Sequence, residues 1–124
     1  MGRTKADLRA ALDDLGLTAT NLAGITGLNE RKLQRCCRDD AYGTAPDNVW
    51  ETLKELHDEQ EDEATELASA AIAGRPLPYL TSQAAADTLY GDGMPYAFHN
   101  TASRKAAREL ERKGVEFHFE YRSD

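Results

Sequence analysis

Between residues 29 and 38 the chain concentrates side chains suited to binding nucleic acid. Arginine forms paired hydrogen bonds with guanine, glutamine pairs with adenine, and lysine and arginine both contact phosphate. The predicted base contacts are Arg31, Gln34 and Arg35, and the predicted phosphate contacts are Lys32 and Arg38. Glu30 has two interpretations, as an acceptor for the amine of cytosine or as a favourable charge at a helix N-terminus. The full predicted DNA-binding set is Asn29, Glu30, Arg31, Lys32, Gln34, Arg35 and Arg38.

Two short helices must position these side chains, and the segment LTATNLAGITGLNERKLQRC predicts both of them. Thr18 and Asn29 are residues of the kind that cap helix starts. Ala23 is small enough for two helices to cross closely, and Gly27 permits a left-handed turn between them. The apolar residues expected to fill the space between the helices are Leu28, Leu33 and Cys36. This spacing predicts a helix-turn-helix over residues 17–38, a motif whose second helix enters the major groove of DNA.

A helix before the motif completes the predicted N-terminal core. Its apolar residues recur at helical spacing and its end is marked by Gly16; they are Leu8, Ala11, Leu12 and Leu15. In the next helix the residues expected to face inward are Leu22, Ala23 and Ile25.

The distribution of charge leaves room for a nucleic-acid partner. The formal net charge of −7 argues against such a partner if it is taken alone. Residues 46–75, however, hold nine acidic and two basic residues, whereas residues 1–45 hold six acidic and seven basic ones. The acidity is therefore concentrated in the middle of the chain, and an N-terminal surface remains available to phosphate.

A long helix is predicted over residues 46–73, where Pro46 suits a first helical position and no glycine or proline follows. A stripe at alternating four- and three-residue spacing has apolar ends and a polar middle; it consists of Val49, Leu53, Leu56, Gln60, Glu63, Leu67 and Ala70. The favoured interpretation is a helix that packs at both ends and is solvated between them. A second interpretation lets the ends of the helix also pair with another copy of the chain.

The remainder of the chain predicts short strands and helices. LPYL (77–80) is an extended run, Ser82 caps a short helix that ends at Gly91, and Asn100 or Thr101 caps a helix that ends at Gly114. The inward residues of that last helix are Ala102, Ala106, Ala107 and Leu110. Residues 115–121 alternate between apolar and polar, which predicts a strand with one apolar face that helices or another chain must cover. That face, the predicted dimerisation surface, consists of Val115, Phe117, Phe119 and Tyr121.

Other kinds of chemistry find little support in the sequence. Cys36 and Cys37 are adjacent, so a disulfide between them would be strained, and reduced thiols are expected. The three histidines are too scattered for a zinc site. The chain contains no HExxH, P-loop, GxSxG or Rossmann motif. We therefore expect no catalysis, no metal and no cofactor. The N-terminus lacks the apolar core of a secretory signal and no run is apolar enough to span a membrane, so a cytoplasmic location is expected.

The motif resembles the helix-turn-helix of the lambda-repressor and Cro type, although Ala19 occupies the position that usually carries glutamine. The C-terminal half, with LPYLTSQAAADTLYGDG and TASRKAARELERKGVEFHF, resembles YdiL-type bacterial regulators and is similar to the anti-CRISPR-associated repressors of phages. The resemblance implies a homodimer that represses transcription from an inverted repeat, often in its own promoter. It also implies that the strand at 115–121 and its neighbours form the dimer interface.

Together these observations predict an α+β protein with two domains. Residues 1–73 would form a DNA-binding domain that includes the long acidic helix, and residues 74–124 a small α+β dimerisation domain. The alternative is a phage or bacterial protein-interaction module, in which the acidic run EQEDEATE contacts a basic host protein.

Overall fold

The computed structural model describes residues 4–37 and 45–123. In chain order the described elements are α1 (Lys5–Leu15), α2 (Ala19–Thr26), α3 (Glu30–Cys37), α4 (Asp47–Ile72), β1 (Leu77–Leu80), α5 (Gln83–Leu89), α6 (Tyr96–Arg112) and β2 (Phe119–Arg122). The two strands pair in parallel. The protein is thus mostly helical with a small sheet, which agrees with the predicted α+β class. No helix in the described ranges is both long enough and apolar enough to cross a membrane.

The chain forms two compact units, residues 1–57 and residues 58–124. The division between them falls inside α4, whereas the sequence pattern suggested one after residue 73. The long helix is continuous across this point and its first turns belong to the N-terminal unit. Its remaining turns belong to the C-terminal unit.

Local signals define the helices of the first unit, and the roles predicted for Thr18 and Gly16 are confirmed. Thr4 caps α1 in a reciprocal pair with Asp7, and Thr18 caps α2 in the same way with Asn21. Gly16 ends α1 in the left-handed conformation, at φ 74°. The buried apolar residues of this unit include Leu8, Leu12, Leu15, Leu17, Leu22, Leu33, Val49, Leu53 and Leu56.

One inward residue of α2 was predicted wrongly. Ile25 is 37% exposed, because the covered face of the helix runs through Leu22 and half-buried Thr26. These two residues are four apart and so lie above one another on the helix. The Thr26 hydroxyl donates to the Leu22 carbonyl over 2.8 Å, which satisfies a polar group on that face. Ile25 lies at the edge of the contact.

The predicted strand at 115–121 is shorter and later than expected. Val115 still belongs to the turn after α6, where its N–H donates to the Leu110 carbonyl over 3.0 Å. The ladder begins where Leu77 donates to the carbonyl of His118, and it ends where Thr81 donates to the carbonyl of Arg122. The four residues of β1 therefore set the length of β2. The alternation of apolar and polar residues within β2 does not contain this information.

The start of α6 was also predicted wrongly, since the helix begins at Tyr96, directly after Pro95. Asn100 and Thr101 are buried inside the helix and do not cap it. The Asn100 amide accepts from the N–H of Leu80 over 2.7 Å and donates to the carbonyl of the same residue over 3.0 Å. The Thr101 hydroxyl donates to the Ala97 carbonyl within the helix. The Asn100 side chain, which was predicted to cap the helix, therefore makes a tertiary contact with Leu80.

Side chains of α6 close the edge of β1 that faces away from β2. Asn100 bonds both backbone groups of Leu80, and the Ser103 hydroxyl donates to the Pro78 carbonyl over 2.6 Å. Pro78 has no N–H, so that edge of β1 needs no further partner at this position. The inward residues predicted for α6 are all buried as expected, and Leu77 joins three of them in one core with alanines of α4.

We predict that Asn100→Ala destabilises the second unit strongly. The change leaves two buried backbone groups without partners, each of which costs about 1–3 kcal/mol. Ser103→Ala removes a single hydrogen bond and should cost about 1 kcal/mol. Urea unfolding followed by amide hydrogen exchange in α6 measures both effects. Exposed Arg108 on the same helix supplies the control, and an Asn100→Ala protein as stable as Arg108→Ala would contradict the role given to the amide.

Candidate nucleic-acid interface

Helix α3 is held by its neighbours on one side and presents its basic residues on the other. It packs against both α1 and α2, and it buries Leu33 and Cys36 as predicted. The ammonium of Lys5 donates to the carbonyl of Arg35 over 2.9 Å, close to the helix C-terminus. A cation at that end interacts favourably with the helix dipole. The helix therefore has a defined orientation within its unit.

The predicted contact residues within the described range share the exposed face of α3. Arg31, Lys32, Gln34 and Arg35 are all exposed, whereas Leu33 between them is buried. Three basic side chains and one acidic side chain lie on this eight-residue helix. Arg38 lies outside the described residues, as does the side chain of Cys37. The structure thus brings together the central part of the predicted set on one surface.

Two members of the predicted set are already engaged within the protein. The Asn29 carboxamide oxygen accepts from the N–H of Lys32 over 3.1 Å, so this side chain caps α3 as predicted. The Glu30 carboxylate accepts a hydrogen bond from the hydroxyl of Thr20 on α2 and another from the Gln34 amide over 3.4 Å. Glu30 therefore links α2 to α3 and orients Gln34, a role the sequence did not indicate.

The turn between α2 and α3 depends on Gly27. Its φ is 74° and its N–H donates to the Ala23 carbonyl over 2.8 Å. A Cβ at this position would meet no atom within 4 Å, so the backbone conformation and not crowding is what favours glycine. Leu28 follows half-buried, and the chain enters α3 after only three residues.

The predicted dimerisation residues separate into two pairs. Val115 and Phe117 are half-buried and pack against the core of the second unit. Phe119 is 41% exposed and Tyr121 is 76% exposed, although both are aromatic. They share one side of the sheet with Tyr79, whose ring centroid lies 5.5 Å from that of Phe119 and 6.5 Å from that of Tyr121. These three rings and Arg104 line a shallow cavity of about 420 Å³.

A buried polar cluster in the second unit was missed entirely by the sequence-based interpretation. Its centre is His99, which is 1% exposed. The Nδ1 atom lies 2.7 Å from Oε1 of Glu63, and Nε2 lies 3.0 Å from Oδ2 of Asp92. The imidazole stacks on the ring of Tyr90 with the centroids 3.6 Å apart. One turn earlier on α4, fully buried Gln60 donates to the carbonyl of Phe98 over 2.9 Å.

This cluster overturns the prediction that the polar middle of α4 is solvated. Gln60 and Glu63 point into the protein because α6 offers them a carbonyl and an imidazole. The only sequence signal was their position on the same stripe as Leu53 and Leu56. A polar residue on an apolar stripe is as consistent with a buried polar partner as with exposure to solvent. For Glu63 that partner is His99, which lies 36 residues away in the sequence.

The geometry favours a doubly protonated His99. Carboxylates only accept hydrogen bonds, so both ring nitrogens must donate if both contacts are to be satisfied. Burial by itself lowers the pKa of His99, but the hydrogen bonds and negative charges of Glu63 and Asp92 outweigh it and raise the pKa above 6.5. Burial, followed by the same two carboxylates, raises the pKa of Tyr90 to about 12. The cluster thus joins α4, α6 and the turn at Asp92 through one buried imidazole.

Comparisons with protein-family models, with curated proteins and with solved structures find no match to this chain. The interpretation of the site therefore depends on its own geometry.

We predict that the second unit loses stability as the pH rises above 6.5. Because the folded-state pKa of His99 is raised, the folded protein retains a proton that the unfolded chain releases. The free energy of unfolding should fall from pH 6.5 upward until the pH passes the folded-state pKa. Urea titrations between about pH 6 and pH 9, followed by hydrogen exchange in α6, measure this slope.

His99→Gln should abolish that part of the pH dependence, whereas His118→Gln, at an exposed position, should preserve it. An unchanged slope in His99→Gln would show that the imidazole is not charged in the folded protein.

Proposed function

We propose that this protein is a sequence-specific double-stranded DNA-binding regulator of transcription, with α3 as its recognition helix. The observation that carries the proposal is the exposed face of α3, which carries Arg31, Lys32 and Arg35 on the side opposite buried Leu33. In this proposal residues 17–38 act as a helix-turn-helix of the lambda-repressor and Cro type. Arg31, Gln34 and Arg35 contact bases, and Lys32 and Arg38 contact phosphates.

The dimensions of α3 support docking in the major groove. An eight-residue helix is about 12 Å long at 1.5 Å per residue, which is close to the width of the groove. Its N-terminal residues are those a helix-turn-helix presents to base edges. The link from Glu30 to Thr20 and the contact from Lys5 to the Arg35 carbonyl hold the helix against its neighbours. Arg31 and Arg35 are thereby presented from a fixed support, which limits the entropy lost on binding.

The charge distribution supports a dimer. A single copy presents only three basic residues on α3, in a chain of net charge −7, so its affinity for DNA should be low. Two copies joined through residues 74–124 would place two recognition helices on an inverted repeat, about 34 Å or a multiple of it apart. We therefore propose a cytoplasmic dimeric repressor that acts on an operator near its own gene and needs no cofactor.

A protein-interaction module is the second candidate, and one observation on α4 favours it. Glu59, Asp62 and Glu66 are exposed and follow one another at spacings of three and four residues. They form an acidic stripe along one face of the helix, which is the charge a basic partner would recognise.

We predict that Arg31→Ala combined with Arg35→Ala abolishes specific DNA binding without unfolding the chain. Each lost base contact should cost about 1–3 kcal/mol of binding free energy. Mobility shifts with the DNA upstream of the protein's own gene, at two salt concentrations, measure the loss. The matched control removes the same charge from exposed positions on α6, with Arg108→Ala and Arg112→Ala, and should retain affinity.

Two outcomes would contradict the proposal. Binding that survives the α3 double substitution would remove α3 from the recognition role. If the wild-type protein binds neither this DNA nor random duplexes at low salt, the regulator proposal fails. The acidic stripe of α4 would then be the surface to test.

A further inference from the structure

The sheet of the second unit has one closed edge and one open edge. Asn100 and Ser103 satisfy the edge of β1 that faces away from β2. Leu77 and Thr81 donate to the carbonyls of His118 and Arg122, and Pro78 is in register with Glu120. Alternate residues of β2 therefore direct their backbone groups toward β1. Those of Phe119 and Tyr121 face the opposite edge, where no strand pairs with them among the described residues.

This open edge combines two features that proteins rarely leave exposed. Unpaired backbone groups along an edge are a template for another strand. Next to that edge, the rings of Phe119 and Tyr121 are 41% and 76% exposed. An exposed aromatic patch beside an open strand edge is typical of an interaction site.

We propose that β2 pairs antiparallel with β2 of a second copy, with Tyr121 opposite the partner's Tyr121. The result is a four-stranded sheet that continues across the dimer. This inference rests on the dimer of the proposed function and specifies its interface, edge and register. Because the backbone groups of Tyr121 face the open edge, the two copies of this residue form a hydrogen-bonded pair on the two-fold axis.

Charge complementarity identifies the occupant as a second copy of the same strand. In an antiparallel pair centred on Tyr121, Glu120 lies opposite the partner's Arg122, and Arg122 lies opposite the partner's Glu120. These residues occupy non-hydrogen-bonded positions, where the Cα atoms are about 4.5 Å apart and side chains approach closely. The sequence Phe-Glu-Tyr-Arg-Ser at 119–123 is thus self-complementary in charge. The two ion pairs are related to each other by the two-fold symmetry of the dimer.

The register centred on Phe119 fits the structure less well. It would require residues 116–118 to extend β2, but β2 begins at Phe119 and Phe117 packs into the core of its own unit. The register centred on Tyr121 uses only residues 119–123, which follow the core contact. It also places the exposed ring of Tyr121 opposite the partner's Tyr121 and diagonally from the partner's Phe119, on the side of the sheet that carries Tyr79.

Charge reversal tests the interface and its register together. Wild-type protein should sediment as a dimer at micromolar concentration. Glu120→Arg places two like-charged pairs in the interface, and so does Arg122→Glu, so either change should raise the dimer dissociation constant about tenfold or more. The double variant Glu120→Arg with Arg122→Glu restores opposite charges across the axis and should recover the wild-type constant.

Glu116→Arg is the matched control, because this exposed residue lies opposite Arg122 only in the register centred on Phe119. It should leave the dissociation constant unchanged. A wild-type monomer at about 100 μM, or single reversals without effect, overturns the proposed pairing. The proposed register is wrong if the double variant does not recover the wild-type dissociation constant and Glu116→Arg weakens the dimer.

These measurements contain no DNA, so their outcome is separate from that of the proposed function. A dimer that obeys the charge swap but binds no DNA would leave the interface intact and refute the regulator. A monomer that still binds DNA through Arg31 and Arg35 would refute the interface and leave the recognition role of α3 intact.

Discussion

The pairing of Asn100 with both backbone groups of Leu80 is the contact on which the second unit depends most. A buried strand edge cannot leave its N–H and carbonyl groups without partners, and α6 supplies those partners from a side chain. This contact fixes α6 along β1 and closes one edge of the sheet. β2 can then pair only on the other side of β1, which leaves its own outer edge and the rings of Phe119 and Tyr121 exposed. The proposed interface between copies is a consequence of this arrangement.

A second buried polar contact joins α4 to the same helix. His99 lies between Glu63 and Asp92 and stacks on Tyr90, so a single side chain contacts three parts of the unit. An imidazole buried between two carboxylates is favourable only while all of its partners remain in place. Such a cluster gives the unit a defined arrangement more than it gives extra stability. It also makes that arrangement sensitive to pH, because the charge of the imidazole is part of the packing.

The first unit consists largely of short helices, and simpler interactions hold it together. Helices α1, α2 and α3 are eight to eleven residues long, too short to be stable alone in water, so capping and mutual burial must hold them. Leucines on α1, α2 and α3 supply the core, while Glu30 and Lys5 connect α3 to its neighbours through polar contacts. Among the described residues, the side chains of Arg31, Lys32 and Arg35 make no hydrogen bond or ion pair, whereas those of Asn29, Glu30 and Gln34 do.

Local features of the sequence determined the helices, their caps and the glycine turns, because each depends on neighbours within four residues. Thr18, Gly27 and Asn29 all act as predicted for that reason. Tertiary structure decided what depends on distant partners: Asn100 bonds a strand twenty residues away, and Gln60 and Glu63 are buried by contacts with α6. The bounds of β2 likewise follow from the length of β1, and the engagement of Glu30 follows from the position of Thr20 on α2. The type of a side chain indicates its chemistry, but its partner depends on which distant segments the folded chain brings together.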